Sequence, residues 1–175
     1  MFVESLRLAT RPNSARKTTP TPTFSPRSPA VYPPDVPHIV VASDSAHVRE
    51  EVKAVLSLKD TTVREVSSGA EVLGAVNDQT PDLLVCDLQM GNMGGMATCL
   101  ELRLEESGGR LPHIPVLMLL DRRPDVFLAR RSQAEGWVIK PTDPMRMRRA
   151  IEALLAGDTY HDTSYLPTEV EVSAK

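Results

Sequence analysis

Three side chains in this sequence carry the elements of a reaction: Asp44, Asp87 and Lys140. Each closely follows a short apolar run, at 39–42, 83–86 and 137–139. If those runs are strands of one parallel sheet, their carboxyl ends share an edge, where such sheets bind ligands. Two carboxylates brought together there repel unless a cation joins them, and hard oxygen donors suit Mg²⁺. A lysine beside them would neutralise an anion on Asp87. A carboxylate, a divalent cation and a lysine are the parts for phosphoryl transfer onto an aspartate. Strand-end aspartates also merely cap loops and helices, and spacing alone leaves both readings open.

The elements that must position these residues can be read from periodicity. Short strands are expected at 39–42, 61–66, 83–86, 115–120 and 137–139. Helices are expected between them: Val48, Val52, Val55 and Leu56 repeat at helical spacing, and further helices fit 70–76, 96–105, 126–134 and 144–156. Ser43, Asp44 and Ser45 offer turn and N-cap chemistry before the first helix. The run Leu83–Cys86 is continuously apolar, as a central parallel strand requires. Five alternating units predict an α/β fold, a five-stranded doubly wound parallel sheet with helices on both faces. The strand ends to inspect are Ser43/Asp44, Asp87, Leu120/Asp121 and Lys140.

Composition narrows the function classes. The chain has 175 residues and a formal net charge of −3, which suits one core of ordinary size and disfavours a basic nucleic-acid binder. Cys86 and Cys99 form no paired motif and read as core residues, and the four histidines show no ligand spacing. No apolar run reaches the roughly 18 residues of a membrane span. Eight of the 15 prolines fall in residues 1–37, so that arm is expected to be extended rather than helical. Three parts are predicted: a proline-rich arm (1–37), a compact domain (38–157) and an acidic tail (158–175).

The residues also carry a resemblance. Asp87-Leu88-Gln89-Met90-Gly91-Asn92-Met93-Gly94-Gly95 resembles the D-x-x-M-P-x-M-x-G loop of response-regulator receiver domains. Lys140-Pro141 resembles their lysine–proline pair, and Ser43-Asp44 their acidic pair after the first strand. The intervals fit as well, with 43 residues from Asp44 to Asp87 and 53 from Asp87 to Lys140. The resemblance covers 38–157. It implies a flavodoxin-like fold with strand order 2-1-3-4-5. It further implies that Asp87 is the phosphoacceptor position and Lys140 the phosphate partner. Asp44, Asp87 and the backbone carbonyl of Gln89 would be the Mg²⁺ ligands, and Leu120 and Trp137 would occupy the switch positions.

Departures from the pattern predict a degenerate site with no catalytic residue of its own. Ser43 replaces one acid, so Mg²⁺ should bind weakly. Gly91 replaces the loop proline, which should loosen that turn. Leu120 has no hydroxyl to meet a phosphoryl oxygen, and Asp121 places a like charge nearby. The first reading is therefore a regulatory binding module that docks on another protein. The alternative is a phospho-accepting response regulator switched at Asp87 by a histidine kinase. An independent enzyme is disfavoured: no flavodoxin-type phosphate loop follows the first strand, and Asp87-Leu88-Gln89 lacks the second acid of a dehalogenase motif.

Only 35 residues follow Lys140, so no output domain is expected and surfaces must carry the function. One candidate is the arginine-rich face of Arg122, Arg123, Arg130, Arg131, Arg146, Arg148 and Arg149 around Trp137. The other is the pair of tails, with anchors Phe2, Leu6, Leu8, Phe24, Tyr32, Tyr160, Tyr165 and Leu166. The runs 39–49 and 90–96 and the segment Thr159-Tyr160-His161-Asp162 resemble mycobacterial stand-alone receivers encoded beside the genes of the proton-pumping NADH dehydrogenase. That resemblance implies complex I subunits as partners. It also implies a cytoplasmic location, peripheral to the inner membrane through a protein complex.

Overall fold

A computed structural model describes residues 36–57 and 60–164. The arm of residues 1–35 and the segment 165–175 lie outside the described residues, and so do the proposed anchors at 2, 6, 8, 24, 32, 165 and 166. In chain order the elements are β1 (His38–Ala42), α1 (Ala46–Leu56), β2 (Thr62–Val66), α2 (Gly69–Asp78), β3 (Leu83–Asp87) and α3 (Gly95–Ser107). There follow β4 (Val116–Leu120), a 3-10 turn (Arg123–Asp125), α4 (Val126–Arg131), β5 (Gly136–Ile139), α5 (Pro144–Leu155) and β6 (Tyr160–His161).

The sheet is parallel throughout, in the order β2-β1-β3-β4-β5-β6. The expected order of the first five strands holds. The expected count does not: among the described residues there is a sixth strand, in the segment read as a tail. β1, β3 and β4 are buried at every residue, because helices cover both faces. Alternation sorts their side chains into two cores. Val40, Leu84, Cys86, Met118, Leu120 and Trp137 face α2, α3 and α4, while Ile39, Val41, Leu83, Val85, Leu117 and Val138 face α1 and α5. Each fully buried aliphatic side chain contributes about 1.5–3 kcal/mol. That interior, rather than helix propensity, explains how six-residue α4 persists.

The helix expected at 126–134 starts where expected, after a 3-10 turn containing Pro124, but is shorter because Ser132 ends α4. Helix starts follow the sequence. Ser45 caps α1 by accepting from the Val48 amide, and Asp143 caps α5 by accepting from the Met145 amide at 2.7 Å. Gly95 begins α3 directly against β3, and a Cβ there would collide with the carbonyl oxygen of Asp87. This close approach hangs the loop 88–94 tightly over the carboxyl end of β3. Both cysteines are free and buried. Burial raises both thiol pKa values, that of Cys99 to about 11, which makes them inert core residues.

Candidate functional site

The carboxyl ends of β1, β3, β4 and β5 converge as expected. Asp87 ends β3 and is only 2% exposed. Lys140, just past β5, reaches it with Nζ at 2.8 Å from Oδ1 and 2.9 Å from Oδ2. The same ammonium lies 3.1 Å from Oδ1 of Asp121. Burial pulls the Lys140 pKa down, but the two carboxylates outweigh it and hold the lysine above its usual range. Three of the strand ends thus form one ion cluster.

Ser43 is fully buried and closes the cluster from β1. Its hydroxyl donates to Oδ2 of Asp87 at 2.9 Å and accepts from the Ser45 amide at 3.2 Å. The amide of Gln89 donates to Oδ1 of Asp87 at 3.3 Å. Both oxygens of Asp87 are therefore engaged by groups of the chain itself. A serine hydroxyl here provides a donor where a second acid would have imposed repulsion.

Asp44 is exposed, and its Oδ2 accepts the Gly91 amide at 2.8 Å. Proline has no amide hydrogen, so glycine at 91 permits a tether from the loop to Asp44 that the family's proline could not make. Arg49 was not singled out from the sequence. Its Nη1 donates to the Ser43 carbonyl at 2.6 Å, and its Nε meets Glu65 at 3.3 Å. It clamps the end of β1 while its charge is paired with Glu65.

Asp44, Asp87 and the Gln89 carbonyl are the groups at this edge that could hold a Mg²⁺ ion. Of the carboxylates at this edge, Asp44 is bonded to the Gly91 amide, and Asp87 and Asp121 share the Lys140 ammonium, whose charge a divalent cation at Asp87 would feel. Among the described residues no group of three or more His, Cys, Asp or Glu is arranged to hold a metal ion.

Leu120 ends β4 with no exposure, in the core beneath α4. Trp137 is 2% exposed, so it is not a surface residue at the centre of an arginine face. Its ring stacks on His161 of β6, with centroids 3.9 Å apart and planes 11° apart, and the Arg130 guanidinium lies 5.3 Å from its centroid. Its Nε1 is buried without a hydrogen-bond partner. Several arginines of that face are also committed: Arg122 to Asp125, Arg146 to Asp162 and Arg148 to Glu152.

The segment 158–164 was expected to stand apart from the domain, and here too the structure corrects the sequence reading. Tyr160 is half-buried against the core of α1 and α5. Asp162 is 2% exposed and accepts from the Ile139 amide at 3.0 Å, the Ser164 amide at 2.9 Å and Arg146 Nη1 at 2.9 Å. Burial alone would raise its pKa, but these donors bring it below the usual carboxylate range.

A parallel α/β sheet with an aspartate, a lysine and a short acidic turn at its carboxyl edge defines a receiver-type domain. A family model, the response regulator receiver domain, matches residues 39–152. The chain is 30% identical over 122 residues to the nitrate/nitrite response regulator protein NarL of Escherichia coli, covering 69% of this chain and 55% of that protein. It is 29% identical over 119 residues to the DNA-binding response regulator MtrA of Mycobacterium tuberculosis, covering 67% and 50% respectively. The chain thus spans about half the length of these curated relatives. Among solved structures it is similar to the signal receiver domain of NarL from Mycobacterium tuberculosis, with 27% identity and a TM-score of 0.61 over 71% of this chain and 99% of that one. It also shares the fold of the Vibrio cholerae chemotaxis protein CheY4, at 21% identity and a TM-score of 0.61 over 68% of this chain and 98% of that one. The chain belongs to the response regulator receiver domain family.

Proposed function

We propose that this chain is a receiver-type regulatory module whose acceptor position is satisfied internally, and that it works by docking on another protein. The observation that carries this reading is the bonding of Asp87: Ser43 and Lys140 hold Oδ2, and Gln89 and Lys140 hold Oδ1. An incoming phosphoryl group would have to displace these partners. It would then find Leu120 where a hydroxyl is needed, and Asp121 adding like charge beside Lys140. Mg²⁺ binding through Asp44, Asp87 and the Gln89 carbonyl is weak in this reading, because Ser43 adds no charge. Incubation with a small-molecule phosphodonor and Mg²⁺, followed by intact-mass analysis, tests it. Little or no added phosphate is expected, whereas rapid modification abolished by Asp87→Asn would overturn it.

A second reading keeps phosphoryl transfer from a histidine kinase to Asp87. It is favoured by the intact Lys140–Asp87 pair, which places an ammonium where a phosphoryl oxygen would need neutralising. For the docking reading we propose complex I subunits as the partner, on the resemblance of 39–49, 90–96 and 159–162 to stand-alone receivers. The association would keep the chain cytoplasmic and peripheral to the inner membrane. Co-purification of the tagged full chain from its native cells tests that partner, and a complex lacking every subunit of that enzyme would overturn it.

A further inference from the structure

We propose that residues 158–164 are a latch whose docking is coupled to the Asp87–Lys140 pair, with Arg146 as the positioning residue between them. The backbone before Lys140 is fastened to this segment directly, and the backbone after it through Arg146 of α5. Before it, the Ile139 amide donates to Asp162. After it, the Pro141 carbonyl accepts from Arg146 Nη2 at 3.1 Å. The other arm of that guanidinium holds Asp162 at 2.9 Å and the Ser164 hydroxyl at 2.7 Å. Lys140 itself is tied to β4 through its amide, at 2.7 Å from the Leu120 carbonyl. The reach of its ammonium to Asp87 therefore depends on a backbone that Asp162 and Arg146 hold in place.

The latch has the features of a two-state element. It joins α5 through Gly157, whose φ of +84° is open to glycine and strained for other residues. It docks through a two-residue ladder, the Asp162 carboxylate and the His161–Trp137 stack. The indole N–H of Trp137, the ring that His161 stacks on, is buried without an acceptor, and a buried unsatisfied donor is costly. The docked state is held by only a few groups.

Coupling of this kind is reciprocal. Removing Lys140 from Asp87 loosens 139–141 and with them the latch, and undocking the latch weakens the hold of Lys140 on Asp87. The proposal does not depend on whether Asp87 accepts phosphate, so it stands or falls separately from the docking reading.

Amide hydrogen exchange on the full chain, resolved by NMR, tests it. In Asp87→Asn and in Lys140→Met, the amides of Ile139, Tyr160 and Asp162 are expected to exchange at least about tenfold faster, while Val40 and Val41 of β1 stay as in the parent. In the reverse direction, Asp162→Asn and Arg146→Gln are expected to speed exchange of the Lys140 amide, which is bonded to Leu120 and not to the latch, at least about tenfold. If Lys140→Met does not fold, Asp87→Asn and the two latch variants carry the test. Exchange at 139, 160 and 162 that is unchanged, or that rises only in step with β1, overturns the proposal, as does a Lys140 amide whose exchange is indifferent to the latch variants.

Discussion

The imidazole of His161 lies face to face with the indole of Trp137, 3.9 Å between ring centroids, and joins the last described strand to the buried side of β5. Burial and the nearby Arg130 cation both lower the His161 pKa from 6.5. The unfolded chain therefore binds a proton more readily, and stability falls as the pH drops below 6.5 toward the folded value. Trp137 emission should change over this range and the change should vanish in His161→Gln. His38, whose pKa is also lowered, chiefly by burial, lies at the far end of β1 from this stack. A wild-type-like emission change in His161→Gln would contradict this assignment.

Lys140→Met should be the most damaging single change at the site. It leaves Asp87, 2% exposed, without its cation, at a cost of about 3–5 kcal/mol in urea unfolding. Because the folded pKa of Lys140 is raised above 10.5, its contribution is fully present below 10.5 and lost as the pH rises through the folded value. The gap between parent and variant should accordingly narrow in strongly alkaline buffer.

Ser43→Asp restores the acid that the family carries and creates a buried like-charge contact with Asp87. Without a divalent cation the variant should be destabilised by about 2–3 kcal/mol. Added Mg²⁺ should recover most of the loss while leaving the parent nearly unchanged. Melts with and without Mg²⁺ check this, and a parent stabilised as strongly as the variant would refute the weak-site reading.

Introducing a hydroxyl with Leu120→Thr and removing the neighbouring charge with Asp121→Ala addresses the other departures. The double variant should accept phosphate from a small-molecule donor at least about tenfold faster than the parent, read by intact mass. Leu120 is fully buried, so a stability loss of about 2 kcal/mol is expected alongside. No gain in a variant that folds would place the block elsewhere.

Ending the chain at residue 157 removes β6 and the carboxylate that satisfies the Ile139 amide. A chain of residues 36–157 should melt several degrees below one of residues 36–164, with a red-shifted Trp137 emission. Equal melting temperatures would show that the segment adds nothing to the fold.

Much of the fold was legible in the sequence because burial leaves a periodic trace. β1, β3 and β4 are covered on both faces, so 39–42, 83–86 and 115–120 read as unbroken apolar runs. Asp87 and Lys140 were legible as the polar residues that end such runs in a recognisable order. β6 left no such trace. Its two residues are held by backbone pairing, one stacked ring and one buried carboxylate, none of which has a period.

The sequence alone determined the parallel α/β order, the convergence of strand ends and the absence of a second acid at Ser43. Only tertiary structure decided how those residues are used. It made Ser43 a donor to Asp87, Gly91 an amide tether for Asp44, Arg49 a clamp on the strand end, and Asp162 the partner of Ile139. The physical reason is range. Hydrophobic alternation is written locally along each strand, whereas a hydrogen bond between residues 23, 44 or 47 positions apart exists only once the sheet has brought them together.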